Sequence, residues 1–218
     1  MRKKIFTSIL LLVYYSARLF AQDTTVNSKT MIQDNITARF GFMERQELNK
    51  QLQYSFEKLN VAIKNLTDSQ FNFRPSSNKW TIAECIEHIT LAELKFPEIV
   101  KEEMKKEADP AFRNKIKIND KDIRTKMLSR RWKAKSPEIF KPSGKFTTVK
   151  TAIETFTLQR QQTIDYIRYT NDDIRNHFWK HPLTGHIDLY QTLLLMSAHL
   201  ERHTEQIENI KKLVNFPI

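Results

Sequence analysis

Two histidines, His199 and His203, stand four residues apart in the run Met196-Ser197-Ala198-His199-Leu200-Glu201-Arg202-His203-Thr204-Glu205-Gln206-Ile207. On a helix that spacing places both on one face, so two imidazoles can address one point. A third, His88, lies far upstream in Trp80-Thr81-Ile82-Ala83-Glu84-Cys85-Ile86-Glu87-His88-Ile89. Two inward-facing histidines on one helix and one on another would make a three-nitrogen metal site with open coordination positions, and open positions permit chemistry as well as stabilisation. A three-imidazole set does not by itself choose among divalent transition metals. Zinc or nickel is the first expectation, with iron, manganese and copper also open. The competing reading is a surface pair, or core histidines satisfied by hydrogen bonds. His203 takes an apolar position in its stripe, and a buried imidazole without partners costs roughly one to a few kcal/mol. Something must therefore satisfy its nitrogens.

Other side chains near these histidines each carry two readings. Glu84, one turn before His88, is a candidate catalytic base or imidazole-orienting group. It also completes a capping box with Thr81. Glu205 and Gln206 could support the ligands from behind, although Glu205 also fits a solvated helix edge. His181 and His186 flank the sequence His181-Pro182-Leu183-Thr184-Gly185-His186. They are either substrate contacts at the mouth of the site or parts of a turn set by Pro182 and Gly185. His177 reads as structural, Trp80 as a cap on the core, and Cys85 as a small buried apolar residue. Cys85 is the sole cysteine, so no intramolecular disulfide can form.

The elements that must position these residues read as helices. Glycine occurs only at 41, 144 and 185, and alternating strand patterns are scarce. A first helix is predicted from Phe40 to Asn65, with Leu48, Leu52, Leu59 and Ile63 on its stripe. A second starts after the N-cap Thr81 and runs towards Lys106, with a bend expected at Pro97. An insert follows from Glu107 to Phe146, in which Asp120 to Ala134 could be a short basic helix. A third helix starts near Thr147 or Thr148 and carries Val149, Ile153, Phe156, Ile164 and Ile167. The fourth spans Asp188 to Leu213, and its stripe Leu189, Leu193, Met196, Leu200, His203, Ile207 and Ile210 is a bundle seam. The sum is an all-α four-helix bundle, residues 40–215. A connection as long as 107–146 suits a crossover between parallel second and third helices.

The first residues read as an export signal: basic Arg2, Lys3 and Lys4, an apolar stretch Ile5 to Tyr15, and a small residue at Ala21. Cleavage there would leave 22–39 as a polar tether. An uncleaved anchor is the alternative. The apolar run is too short to span a bilayer, so no integral membrane segment is expected after cleavage. Removing 1–21 lowers the formal charge from +11 to +7. Much of the surplus lies between Lys101 and Lys150, where Trp132 sits among Arg130, Arg131, Lys133 and Lys135. That patch could meet an anionic ligand or a membrane surface, or Trp132 could pin a mobile crossover. Acidic residues are interspersed and no nucleic-acid motif occurs, so nucleic acid is not an expected partner.

The segment from Trp80 to His88, with Pro75 before it, resembles the first signature of the DinB-like family. His181-Pro182 with Gly185, then His199-Leu200-Glu201-Arg202-His203-Thr204-Glu205-Gln206-Ile207, resembles the second. The resemblance implies a four-helix bundle whose metal ligands here are His88, His199 and His203. Its least matched part is Glu107 to Phe146. Members of the family include thiol S-transferases and metal-dependent hydrolases, so a small-molecule substrate is implied. An exported chain would not meet cytosolic thiol pools, which weighs against the transferase. The resulting expectation is an exported, periplasmic or secreted metal-dependent enzyme, hydrolase or thiol S-transferase. The alternative is a non-catalytic, metal-stabilised binding or stress-associated module. Bundles of this kind can pair through an exposed helix face, so a homodimer is compatible with the sequence.

Overall fold

The computed structural model describes residues 41–129 and 136–218. The residues read as an export signal, 1–21, and as a tether, 22–39, lie outside them, as do Trp132 and its basic neighbours. Residues 41–45 are helical, and Gln46–Ile218 fold into one compact unit. In that unit α1 runs over 46–63 and stops where Asn65 takes a left-handed conformation, φ 62°, which asparagine tolerates better than most residues. A single helical turn that the sequence reading did not anticipate follows, α2 (Asp68–Phe71), started by a capping box between Thr67 and Gln70.

The first helix's expected start, Phe40, lies outside the described residues; the other starts and the stops of the four long helices fall close to where their signals predict. In α3 (Ile82–Glu103) Thr81 accepts from the Glu84 amide and Glu84 returns a bond to the Thr81 amide. Within the expected crossover, a 3-10 segment covers Pro110–Lys115 and α4 covers Asp120–Leu128. The helix expected to reach Ala134 stops at Leu128 because Ser129 turns extended, ψ 124°. A second 3-10 turn, Glu138–Phe140, precedes α5 (Val149–Tyr169), whose N-cap is Thr148. Asp188 caps α6 (Leu189–Lys211) in a box with Gln191.

The segment read as a turn before α6 is instead a hairpin. Strands β1 (Phe178–His181) and β2 (Gly185–Asp188) pair antiparallel, with Trp179 opposite Ile187 and His181 opposite Gly185. Gly185 has φ 78°, the positive value that favours glycine. Four-residue strands are too short to show a period in sequence. Trp179 Nε1 donates to Thr192 Oγ1 at 2.7 Å and locks the hairpin to the first turn of α6.

Two core clusters show how the helices run. One holds Leu48 and Leu52 of α1, Ala92 to Val100 of α3, Ile164 and Ile167 of α5, and Leu189 to Ala198 of α6. The other holds Leu59 to Ile63, Ala83 to Ile89, Ala152 and Phe156, and Leu200 to Ile210. So α3 and α5 run parallel, α1 and α6 run against them, and the crossover joins the parallel pair as expected. Between the clusters lies a polar waist: Ser55, His88, Glu93, Arg160, Ser197 and the two histidines of α6. Ser197 Oγ donates to the Gln51 carbonyl at 2.9 Å. Arg160, fully buried, donates to Glu93 at 2.5 Å and to the Leu52 carbonyl at 3.3 Å.

Candidate metal centre

His88 from α3 and His199 and His203 from α6 meet at this waist. Their Nε2 atoms converge, 3.1 Å from His88 to His199 and 3.1 Å from His203 to His199. One nitrogen of each histidine lies within 4.8 Å of the others. His88 and His203 are buried and His199 is partly exposed.

The far sides of two rings fix their protons. His88 Nδ1 lies 2.7 Å from the Phe140 carbonyl. A carbonyl only accepts, so Nδ1 carries the hydrogen and the neutral ring presents a bare lone pair at Nε2. His203 Nδ1 lies 3.0 Å from Gln206 Oε1, with the same consequence. Two lone pairs therefore point at His199 Nε2. A neutral His199 has at most one hydrogen there and can satisfy only one of them. A cation at the centre satisfies all three, and the donation of Nδ1–H to a carbonyl or amide oxygen is how metal-binding imidazoles are commonly held. The donor set fits a divalent transition metal and does not select its identity.

Burial pushes the basicity of all three rings down. For His88 the Phe140 bond opposes the shift without reversing it. His203 falls to about 3, through burial first and then repulsion from His88. His199 falls well below its ordinary value, with both neighbours adding to burial. A group with a depressed folded pKa stabilises the fold above its unfolded pKa, and that contribution is lost as pH falls towards the folded value. Unfolding of metal-free protein by urea should therefore show stability declining below about pH 6.5, by up to about 1.4 kcal/mol per pH unit for each imidazole. His203→Ala should make the decline shallower.

The crossover, least matched in sequence, builds the wall behind His88. Glu87 accepts from the amides of Ser143 at 2.8 Å, Gly144 at 2.9 Å and Lys145 at 2.9 Å, and from Ser143 Oγ at 2.7 Å. Burial alone would raise its pKa, but these four donors hold it below the usual value. The anchor holds the chain just after Phe140, whose carbonyl orients His88. On the other side, Arg202 donates to the Met127 and Ser129 carbonyls at 3.0 and 2.8 Å, where α4 ends. Glu87→Ala leaves the amides of three turn residues without their acceptor and should cost about 1–2 kcal/mol in urea unfolding, since water reaches that turn. It should also weaken metal binding about tenfold or more, as loss of ligand support does. Unchanged affinity by chelator competition would separate the crossover from the site.

The other sequence candidates fall into place around this centre. Trp80 packs on the core and lies over His88, centroids 4.9 Å apart, and over His203 at 6.2 Å. Glu84 accepts from the Thr81 amide at 2.8 Å and from Arg74 at 3.0 and 2.6 Å, so both its oxygens are engaged away from the imidazoles. Glu205 is exposed. Cys85 is fully buried, its thiol pushed up to about 12 by desolvation and so unreactive. His177 is buried between the Asp173 and Lys106 carbonyls, 2.8 and 3.1 Å away. His186 is exposed, with its ring edge on Phe112. Beside the centre, Phe96 packs between Phe140 and His181. A groove of about 500 Å³ between α3 and α5 involves none of the three histidines.

Phe140 and Glu87 escaped the sequence reading. A backbone carbonyl partner leaves no residue-type signal, and Glu87 looks like an ordinary polar neighbour of His88. Gln206, three residues after His203, was legible as a supporting group.

Comparison with known proteins agrees with this architecture. A protein of Bacillus subtilis, YuaE, described only as uncharacterized, is 23% identical over 150 residues, covering 69% of this chain and 88% of its own. Among solved structures, Bacillus subtilis YfiT superposes with a TM-score of 0.54 at 16% identity, covering 77% of this chain and 86% of its own. It is described as a probable metal-dependent hydrolase with an unusual four-helix bundle topology. The polar waist and its converging imidazoles fall inside residues 51–207, which match the sequence pattern of the DinB superfamily, and the chain belongs to that superfamily.

Proposed function

We propose that the protein is an exported metal-dependent hydrolase acting on a small molecule. The observation that carries the reading is the pair of bare Nε2 lone pairs of His88 and His203 aimed at His199. Three neutral imidazoles in that arrangement are a ligand set waiting for a cation. A divalent metal held there supplies Lewis acidity and activates water near neutral pH. The chain's own contribution is positional. Phe140 and Gln206 hold two rings in the ligand tautomer, Trp80 and the crossover exclude water from one side, and the partly exposed His199 leaves the approach. Hydrolysis is favoured over thiol transfer by the likeness to YfiT and by the leader-like start Arg2 to Ala21. Among the described residues no helix is long and apolar enough to cross a membrane.

The test is a panel of esters, lactones and amides with zinc- or nickel-loaded protein. Hydrolysis abolished by chelation, restored by the metal and reduced at least about a hundredfold in His199→Ala is expected. Turnover that survives both treatments would contradict the reading. Visible spectra of the cobalt form that ignore every added anion or thiol would favour a structural metal instead. Export is checked by the N-terminus of the secreted chain, expected at Gln22.

A further inference from the structure

His181 is the one buried histidine near the centre that neither binds a metal in this reading nor bridges two carbonyls. The residue is 8% exposed, and its Nδ1 accepts from the amides of Leu183 and Thr184, both at 3.2 Å. Two donors at one nitrogen require a lone pair there. The neutral ring must then carry its hydrogen on Nε2. That Nε2–H has no acceptor among the described residues, and it is not among the polar atoms sealed from solvent. The β-hairpin turn therefore fixes a donor and leaves it unused.

The donor belongs to the neighbourhood of the metal centre. His181 packs on Phe96 at 6.5 Å, Phe96 on Phe140 at 6.2 Å, and Phe140 on His88 at 6.3 Å. Trp179, 5.3 Å from His181, is tied to Thr192 two turns before His199 on α6. Burial holds His181 itself down to about 4, so the ring is neutral at ordinary pH.

We propose that His181 Nε2–H is a substrate-binding donor beside the metal centre, which reads a carbonyl or similar uncharged acceptor on the molecule held at the metal. The proposal rests on the metal reading above and adds a substrate class to it. An uncharged donor set among Phe96 and Trp179 favours an uncharged acceptor, because an anion would lose more hydration on entering the same surroundings. A site built to donate one hydrogen bond also rejects analogues that lack the acceptor. The expected substrate therefore carries a second carbonyl-type group, amide or ester, a short distance from the group that reaches the metal.

Two variants separate the donor from the turn. His181→Asn keeps an acceptor where Nδ1 stood and removes the donor. His181→Gln keeps a donor where Nε2 stood and removes the turn acceptor. The probes are alkyl hydroxamates, which anchor on the metal, with a distal acetamide on methylene spacers of increasing length. Each is paired with the hydrocarbon isostere that lacks the carbonyl. Affinities are measured by calorimetry on the zinc-loaded full chain.

At one spacer length the acetamide should bind about tenfold better than its isostere. That preference should vanish in His181→Asn and persist in His181→Gln, while metal content stays constant. Nitrogen NMR of the imidazoles should show Nδ1 unprotonated and Nε2 protonated in His181 of the free protein. No preference at any length, a preference that survives in His181→Asn, or a hydrogen on Nδ1 would overturn the assignment of His181 alone. Zinc-loaded protein that binds no hydroxamate, or protein that takes up no zinc, would overturn the metal reading and this one with it.

Discussion

His88→Ala or His203→Ala should weaken zinc binding by about a hundredfold or more while the bundle stays folded. Structural zinc sites of four ligands supply roughly 10–16 kcal/mol, so one imidazole of three accounts for a few kcal/mol, and each 1.4 kcal/mol is tenfold. The fold should survive because both side chains sit at the polar waist rather than inside either apolar cluster. Alanine also removes lone pairs that crowd one another in metal-free protein. The metal-free variants should therefore be no less stable at pH 5 than the metal-free parent, whose depressed imidazoles penalise the folded state there. Competition with a chromophoric chelator measures the affinity, and urea unfolding followed by circular dichroism measures the fold. Zinc affinity unchanged in either variant would mean that the ion binds elsewhere.

The second large effect lies across the waist. Arg160→Leu should destabilise the protein by about 3–5 kcal/mol at pH 7, because Glu93 is left buried without its cation. Glu93 is 2% exposed and Arg160 0%, 2.5 Å apart, so solvent screens neither. Burial raises the Glu93 pKa more than Arg160 lowers it. A carboxyl with a raised folded pKa contributes its stability at low pH and loses it as pH rises through that value. The Arg160→Leu defect should accordingly shrink as pH falls towards 4.5. Replacing both partners, Glu93→Leu with Arg160→Leu, should be close to neutral or stabilising, since a buried ion pair often exchanges with apolar packing at little cost. Urea titrations of the three variants at pH 5 and pH 7 decide this. A single-variant loss below about 1 kcal/mol would show that the pair is relaxed by water.

The waist also shows what was legible in sequence. The histidine cluster was: His199 and His203 share a helix face, and His88 stands in the other signature, upstream. The helix starts were, because Thr81, Thr148 and Asp188 are N-caps whose side-chain oxygens must meet amides two or three residues on. The parallel crossover followed from its length. Glu93 and Arg160 carried a readable signal that went unused. Arg160 lies four residues from both Phe156 and Ile164, and Glu93 lies four after Ile89 and three before Phe96, so opposite charges occupy two apolar stripes.

What holds His88 had no such signal. Its partner is a main-chain carbonyl in an aperiodic crossover, and any residue at 140 offers one. The hairpin was hidden for a related reason. Its strands are short, and its pairing rests on Gly185 and on Trp179 reaching Thr192 rather than on a repeating pattern. The unused donor of His181 follows from that hairpin, so it became visible only with the register of β1 and β2.

The most direct test of the three-histidine centre is X-ray absorption at the zinc edge on protein loaded with one equivalent of zinc. The account predicts three imidazole nitrogens at about 2.0–2.1 Å, with the rest of the shell light oxygen donors, and loss of one imidazole in His203→Ala. A shell of oxygens alone, or a sulfur near about 2.3 Å, would contradict it. So would a spectrum of His203→Ala that is the same as the parent's.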